Sequence, residues 1–236
     1  MYSSVEATTV EAIGLRQRYG AGLVSDVDFA LGTGVFGLLG PSGAGKTTLL
    51  RTLATVVPPL GGELRICGRS VRSMADARIA RRQIGYLPQQ FGYFPAHTVY
   101  EFVRYCAWLR EVPAADAHEQ TLRAIAAVNL TDSAQTRLRL LPGCLVRLCG
   151  IAQALVGSPR VVLLDEPTVG LDPVQRLEFR DLVRNLTDAT VVIATSGIED
   201  AASTCDEVMV MDRGRLLFRC TPRAPGRSRC YAPLHR

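Results

Sequence analysis

Short apolar runs alternate with amphipathic stretches along this chain, and that rhythm predicts an α/β fold. Val24 to Leu31 alternates apolar and polar positions, as a half-buried strand does. Around it, residues 1–33 read as short strands and turns, with a turn at Tyr19-Gly20-Ala21-Gly22. Val35 to Leu39 and Val161 to Leu164 are continuously apolar, which suits strands buried on both faces. Ile84–Leu87, Val191–Ala194 and Val208–Met211 are further strand-length runs, and Gly61-Gly62 opens another over Glu63–Cys67. Thr47 to Val57 reads as a helix that stops before Pro58-Pro59. Leu177 to Leu186 reads as a helix and Glu199 to Thr204 as a helical turn.

The middle of the chain changes period. Val99, Phe102, Val103, Cys106 and Leu109, then Leu122, Ile125, Ala126 and Val128, recur at helical spacing. Another helix follows Pro142-Gly143 and runs through Leu155. Together these predict a helical subdomain inserted at about 90–158. Strands alternating with helices argue a mostly parallel sheet. The expectation is a single domain over residues 1–212, followed at 213–236 by a basic strand end and a loose tail.

Composition narrows the class. Of 236 residues, 47% are apolar, enough for a full core and too many for a disordered or fibrous chain. No apolar run approaches the roughly 18 residues that span a bilayer. No basic residue precedes Arg16, so a secretory signal is not expected and the chain is expected inside the cell. The net charge of +5 hints at nucleic acid, but seven arginines and no acids lie between Arg213 and Arg236. Residues 1–212 carry 20 basic and 22 acidic side chains, so no nucleic-acid partner is expected. The seven cysteines include no C-x-x-C pair and no zinc-type spacing, and read as reduced thiols. Among 27 basic residues only Lys46 is lysine, so that position needs a compact ammonium.

Gly40-Pro41-Ser42-Gly43-Ala44-Gly45-Lys46-Thr47 fits G-x-x-x-x-G-K-[ST], a phosphate loop, between an apolar strand and a helix. Polyphosphate is wrapped there by peptide N–H groups at a helix N-terminus, which requires bare backbone where the chain bends. Lys46 would meet the outer phosphates, and Thr47 would ligate magnesium. The upstream Gly32-Thr33-Gly34-Val35-Phe36-Gly37 matches G-x-G-x-x-G but precedes its strand, so it is read as a turn. Val161–Leu164 ends in Asp165-Glu166. Asp165 can hold magnesium through water and Glu166 can polarise an attacking water; alone, such a strand end could instead be a helix cap before Pro167, but paired with the phosphate loop the functional reading dominates.

These motifs, in this order, resemble the ATP-binding subunit of ABC transporters over residues 10 to about 215. The stretches concerned are Tyr19-Gly20, the phosphate loop, Gly85-Tyr86-Leu87-Pro88-Gln89, Leu163-Leu164-Asp165-Glu166-Pro167-Thr168 and Gly170-Leu171-Asp172-Pro173. Phe91-Gly92-Tyr93-Phe94-Pro95 and Gly150-Ile151-Ala152-Gln153-Ala154-Leu155 look most like cassettes of drug and antibiotic exporters. The resemblance implies an ATPase using ATP and Mg2+, peripheral on the inner face of the membrane. Its implied partners are a membrane-spanning permease and a second cassette. Tyr19 would stack on adenine, the nucleotide contact would extend to Thr48, and Gln89 would reach magnesium and the attacking water. Asp172 would communicate between paired cassettes. The helical insert would carry the groove for the permease.

Two elements depart from the family. Its Leu-Ser-Gly-Gly signature is Leu141-Pro142-Gly143-Cys144-Leu145 here. Pro142 has neither hydroxyl nor N–H, and Cys144 adds a side chain where backbone should approach phosphate. The family's switch histidine is replaced by Ser196 in Thr195-Ser196-Gly197. Hydrolysis is therefore expected to be slow or partner-dependent, with a catalytically weak regulatory cassette as the alternative.

Overall fold

The computed structural model describes residues 8–19 and 22–222, without the side chains of Tyr19 and Leu23. Adenine stacking by Tyr19 and the tail beyond Pro222 lie outside the described residues. Among the described residues, ten strands and seven α-helices follow one another. β1 (Val10–Tyr19), β2 (Gly22–Leu31), β4 (Gly61–Ile66) and β5 (Arg69–Ser70) form an antiparallel sheet in the order β2-β1-β4-β5. The second sheet contains β3 (Gly34–Leu39), β6 (Ile84–Leu87), β7 (Val161–Asp165), β8 (Thr190–Thr195), β9 (Glu207–Asp212) and β10 (Arg215–Cys220). Its order is β10-β9-β3-β8-β7-β6, parallel except for β10. The α/β class with an antiparallel N-terminal part is thus as the sequence predicts.

The apolar runs stay continuous because each parallel strand is buried on both faces. In β7, Val162 and Leu164 face one core cluster while Val161 and Leu163 face another; β8 divides Val191 and Ile193 from Val192 and Ala194 in the same way. One cluster lies under α3 (Val99–Leu109), α4 (Ala117–Ala127) and α5 (Gly143–Leu155). The other joins the two sheets around α1 (Lys46–Leu53), through Leu49, Leu50 and Leu53.

Several boundaries differ from the sequence reading. α1 ends at Leu53 rather than Val57, four residues short of the prolines. α6 (Pro173–Arg184) starts four residues before Leu177, because Asp172 and Gln175 form a capping box with proline at the first turn. α2 (Met74–Arg81) was not anticipated: it opens on a Ser73/Asp76 capping box and buries only Ala77 and Ala80. Its two small apolar contacts leave almost no periodic signal. α7 spans Ile198–Thr204.

Candidate functional site

The parallel strands end on one edge of their sheet, where open α/β sheets place ligands. The order β3-β8-β7-β6 sets four loops side by side: residues 40–45, Thr195-Ser196, Asp165-Glu166 and Pro88-Gln89. They enclose a cavity of about 470 Å3 lined by Ser42 to Thr48, Arg51, Gln89, Asp165, Glu166, Val169 and Ser196.

The first loop is built by its glycines. Gly45 precedes α1 at φ 104°, a left-handed conformation that side chains resist. A Cβ on Gly40 would lie 2.2 Å from the Met211 carbonyl, so only glycine lets the loop leave β3 beside β9. The β9–β10 turn braces the loop from outside, as Gly214 N donates to Ala44 O at 2.8 Å. Lys46, 7% exposed, donates through Nζ to the carbonyls of Gly40 (2.5 Å) and Pro41 (3.1 Å). Burial lowers the pKa of its ammonium, and the charges of Glu166 and Asp165 pull it back up.

Asp165 ends β7 fully buried, and neither carboxylate oxygen has a hydrogen-bond partner. Burial pushes its pKa above the usual carboxylate range; the Thr47 hydroxyl pulls the other way without satisfying either oxygen in hydrogen-bond geometry. An orphaned buried carboxylate beside the Thr47 hydroxyl, in a cavity that Gln89 also lines, fits a hard divalent cation, which takes oxygen donors. Among the described residues no three His, Cys, Asp or Glu side chains could hold a metal by themselves. A cation here would need Thr47, Gln89 and oxygens of a bound phosphate.

Glu166 is held at four points. Its backbone stands at φ 48°, strained for a non-glycine. Its N–H donates to Ala194 O at 2.8 Å, and its carbonyl accepts from Arg147 Nη2 at 2.7 Å. Oε1 accepts from Ser196 N at 2.8 Å, and Oε2 accepts from the Thr195 hydroxyl at 3.2 Å. Ser196 therefore meets Glu166 through its backbone.

The remaining expected residues lie apart. Leu141, Pro142, Cys144 and Leu145 do not line the main cavity; Gly143 borders a neighbouring cleft of about 180 Å3 with Gln89, Arg147 and Glu166. Pro142 occupies the N-cap position of α5 with no side-chain cap bond. Asp172 caps α6, its Oδ1 accepting from Gln175 N at 2.9 Å. Two residues escaped the sequence reading. Thr195 stood in the sequence only as the residue between the strand Val191–Ala194 and Ser196, with no role of its own, whereas the structure makes it the last residue of β8. Arg147 is the only charged residue of α5, an isolated cation in an otherwise apolar helix, and that was the available signal.

Residues 24–169 match the family described as ABC transporter. The chain is 36% identical over 213 residues to the Nod factor export ATP-binding protein I of Ralstonia nicotianae, covering 89% of this chain and 66% of that protein. It is 35% identical over 216 residues to the daunorubicin/doxorubicin resistance ATP-binding protein DrrA of Streptomyces peucetius, covering 90% and 65%. It thus spans just under two thirds of the length of either relative. The fold also matches the dimeric structure of MJ0796, a bacterial ABC transporter cassette, at TM-score 0.81 and 22% identity, over 92% of this chain and 100% of that one.

Proposed function

The chain belongs to the ABC transporter family, and from that premise we propose that it binds MgATP and couples its hydrolysis to export of a small molecule. The observation that carries this reading is the single cavity in which the phosphate loop, Gln89, Asp165, Glu166 and Ser196 converge. Peptide N–H groups of residues 42–48 and the Lys46 ammonium would bind the triphosphate, with Tyr19 against adenine. Thr47, Gln89 and Asp165 would hold Mg2+, which when bound offsets phosphate charge. Glu166 would accept a proton from the attacking water, with Gln89 orienting that water.

The names of the two relatives support export, and the dimeric neighbour supports pairing with a second cassette. Residues 1–212 would be one cassette, its helical part at about 90–158 docking on a membrane-spanning permease. An aromatic ladder there supports such docking: Phe94 meets Tyr105 edge-on and Tyr105 stacks on Trp108, which is 66% exposed. No described helix is long and apolar enough to cross a membrane, so the path for the cargo would belong to the partner. The chain would work from the cytoplasmic face.

Calorimetric titration with ATP and Mg2+ tests the binding. Heat from the unmutated chain and its loss in Lys46→Ala are expected; no heat from the folded, unmutated chain would overturn the reading. Glu166→Gln is expected to keep binding and lower phosphate release by about 100-fold or more. Unchanged release would remove Glu166 from the role of base.

A catalytically weak regulatory cassette is a second reading. Both carboxylate oxygens of Glu166 are engaged by Thr195 and Ser196, and Pro142 and Cys144 stand where the signature has serine and glycine. Turnover with the permease present, well above Lys46→Ala, would eliminate this reading.

A further inference from the structure

Arg147 is 8% exposed, one turn inside α5. A buried guanidinium is costly unless each of its N–H groups finds an acceptor. Here Nε donates to Pro167 O (3.4 Å), Nη1 to Pro88 O (3.2 Å) and Gln89 O (3.0 Å), and Nη2 to Asp165 O (2.6 Å) and Glu166 O (2.7 Å). Five donors meet five backbone carbonyls on two separate loops. No carboxylate takes part; the charges of Asp165 and Glu166 act on the cation only from nearby.

These carbonyls belong to the loops on which the candidate site depends. One follows β6 and carries Gln89. The other follows β7 and carries Asp165 and Glu166, including the strained backbone of Glu166. Strain of that kind persists only where surrounding contacts fix the conformation. The sheet aligns β6 and β7 but no backbone ladder bond joins the loops beyond Leu87 and Leu164. The guanidinium supplies that connection.

We propose that Arg147 is a positioning residue: it fastens the Gln89 loop to the Asp165-Glu166 loop and so fixes the spacing of the two groups that would handle the attacking water. This rests on the ATPase reading. The loops are also tied to α5, whose first residues, Gly143 onward, border the cleft that Gln89 and Glu166 share. A displacement of that helix end would carry both loops together. Lysine cannot substitute, since an ammonium has three donors and no planar fork.

The test compares full-length Arg147→Lys and Arg147→Gln with the unmutated chain by hydrogen exchange and steady-state phosphate release. In both variants, exchange in residues 88–90 and 165–168 should accelerate about tenfold or more, while the strands hold. Turnover should fall about tenfold or more, with KM for ATP within about threefold, because positioning acts on the reacting geometry rather than on nucleotide affinity. Unchanged kcat in Arg147→Lys, or faster exchange in only one loop or neither, would overturn the proposal. If neither variant folds, the unmutated chain decides. Nitrogen-resolved NMR should show slowly exchanging, individually resolved Nη protons for Arg147, and rotationally averaged ones would sink the idea. Phosphate release from the unmutated chain no greater than from Lys46→Ala would defeat the ATPase reading instead, leaving exchange and NMR to judge the loop connection.

Discussion

Gly40 shows how one residue can be fixed by a neighbour far away in sequence. Its missing Cβ makes room for the Met211 carbonyl. Backbone cannot retreat as a side-chain tip can, so Gly40→Ala should destabilise the chain by about 1–3 kcal/mol, as overpacking does. Thermal melting should show this as a lower Tm even without nucleotide; an unchanged Tm would contradict the close approach. The cysteines make a second residue-scale case. Cys149 and Cys205 are fully buried, and burial pushes both thiols up to about 12. Cys144 is half-buried at the start of α5. Brief alkylation of the native chain at pH 8 should therefore label Cys144 and spare Cys149 and Cys205, with peptide mass spectrometry as readout. The sequence reading of reduced thiols did not distinguish among them, because exposure is a property of the fold.

At the scale of elements, helix ends decided what could be read. α2 depends on Ser73, whose hydroxyl accepts from Asp76 N at 3.1 Å, while Asp76 accepts from Ser73 N at 2.9 Å. Ser73→Ala should cost about 1 kcal/mol, visible as a shifted denaturant midpoint with an unchanged slope. The antiparallel sheet has its own fastening. Glu63 on β4 accepts from Ser70 (2.5 Å), Arg65 (3.1 Å) and Arg72 (3.2 Å), joining β4 to β5 and to the approach of α2. Bonds from Ser70 first, then Arg65, hold its carboxyl down at about 2, against an ordinary value of 4.5. A depressed carboxylate contributes stability above its unfolded pKa and loses it as pH falls through the folded one. Glu63→Gln should therefore lower Tm at pH 7, and the gap to the unmutated chain should close between pH 4.5 and about 2. α5 is bracketed in a different way: Arg110 donates to the Gln153 and Ala154 carbonyls at its C-terminal end, and Arg147 serves the loops near its start.

For the whole molecule, the order of strands matters most. β8 lies between β3 and β7, which brings Ser196 to Glu166 across 30 residues of chain. In a pair of cassettes the defects would divide: Ser196 beside the chain's own phosphate loop, Pro142 and Cys144 facing the partner's. Mixed pairs test this, with Lys46→Ala silencing one site at a time. Ser196→His should speed phosphate release only at the loop of the chain that carries it. Pro142→Ser with Cys144→Gly should speed release only at the partner's loop. Both repairs acting on one site would overturn head-to-tail pairing.

The glycine-built loop before α1, the strand that delivers Asp165 and Glu166, and the fold class were legible because each is a local pattern. A bend around phosphate needs bare backbone, and a strand buried twice needs an unbroken apolar run. Pro142, Cys144 and Ser196 were read from residue type alone as departures from the resembled family, and the release assays on repaired pairs test that reading. Other features came only from tertiary structure: the orphaned oxygens of Asp165, the hold of Thr195 and Ser196 on Glu166, and the five carbonyls gathered by Arg147. Burial and hydrogen bonding between distant segments exist only once the sheet has set its strands in order, and no local pattern encodes that order.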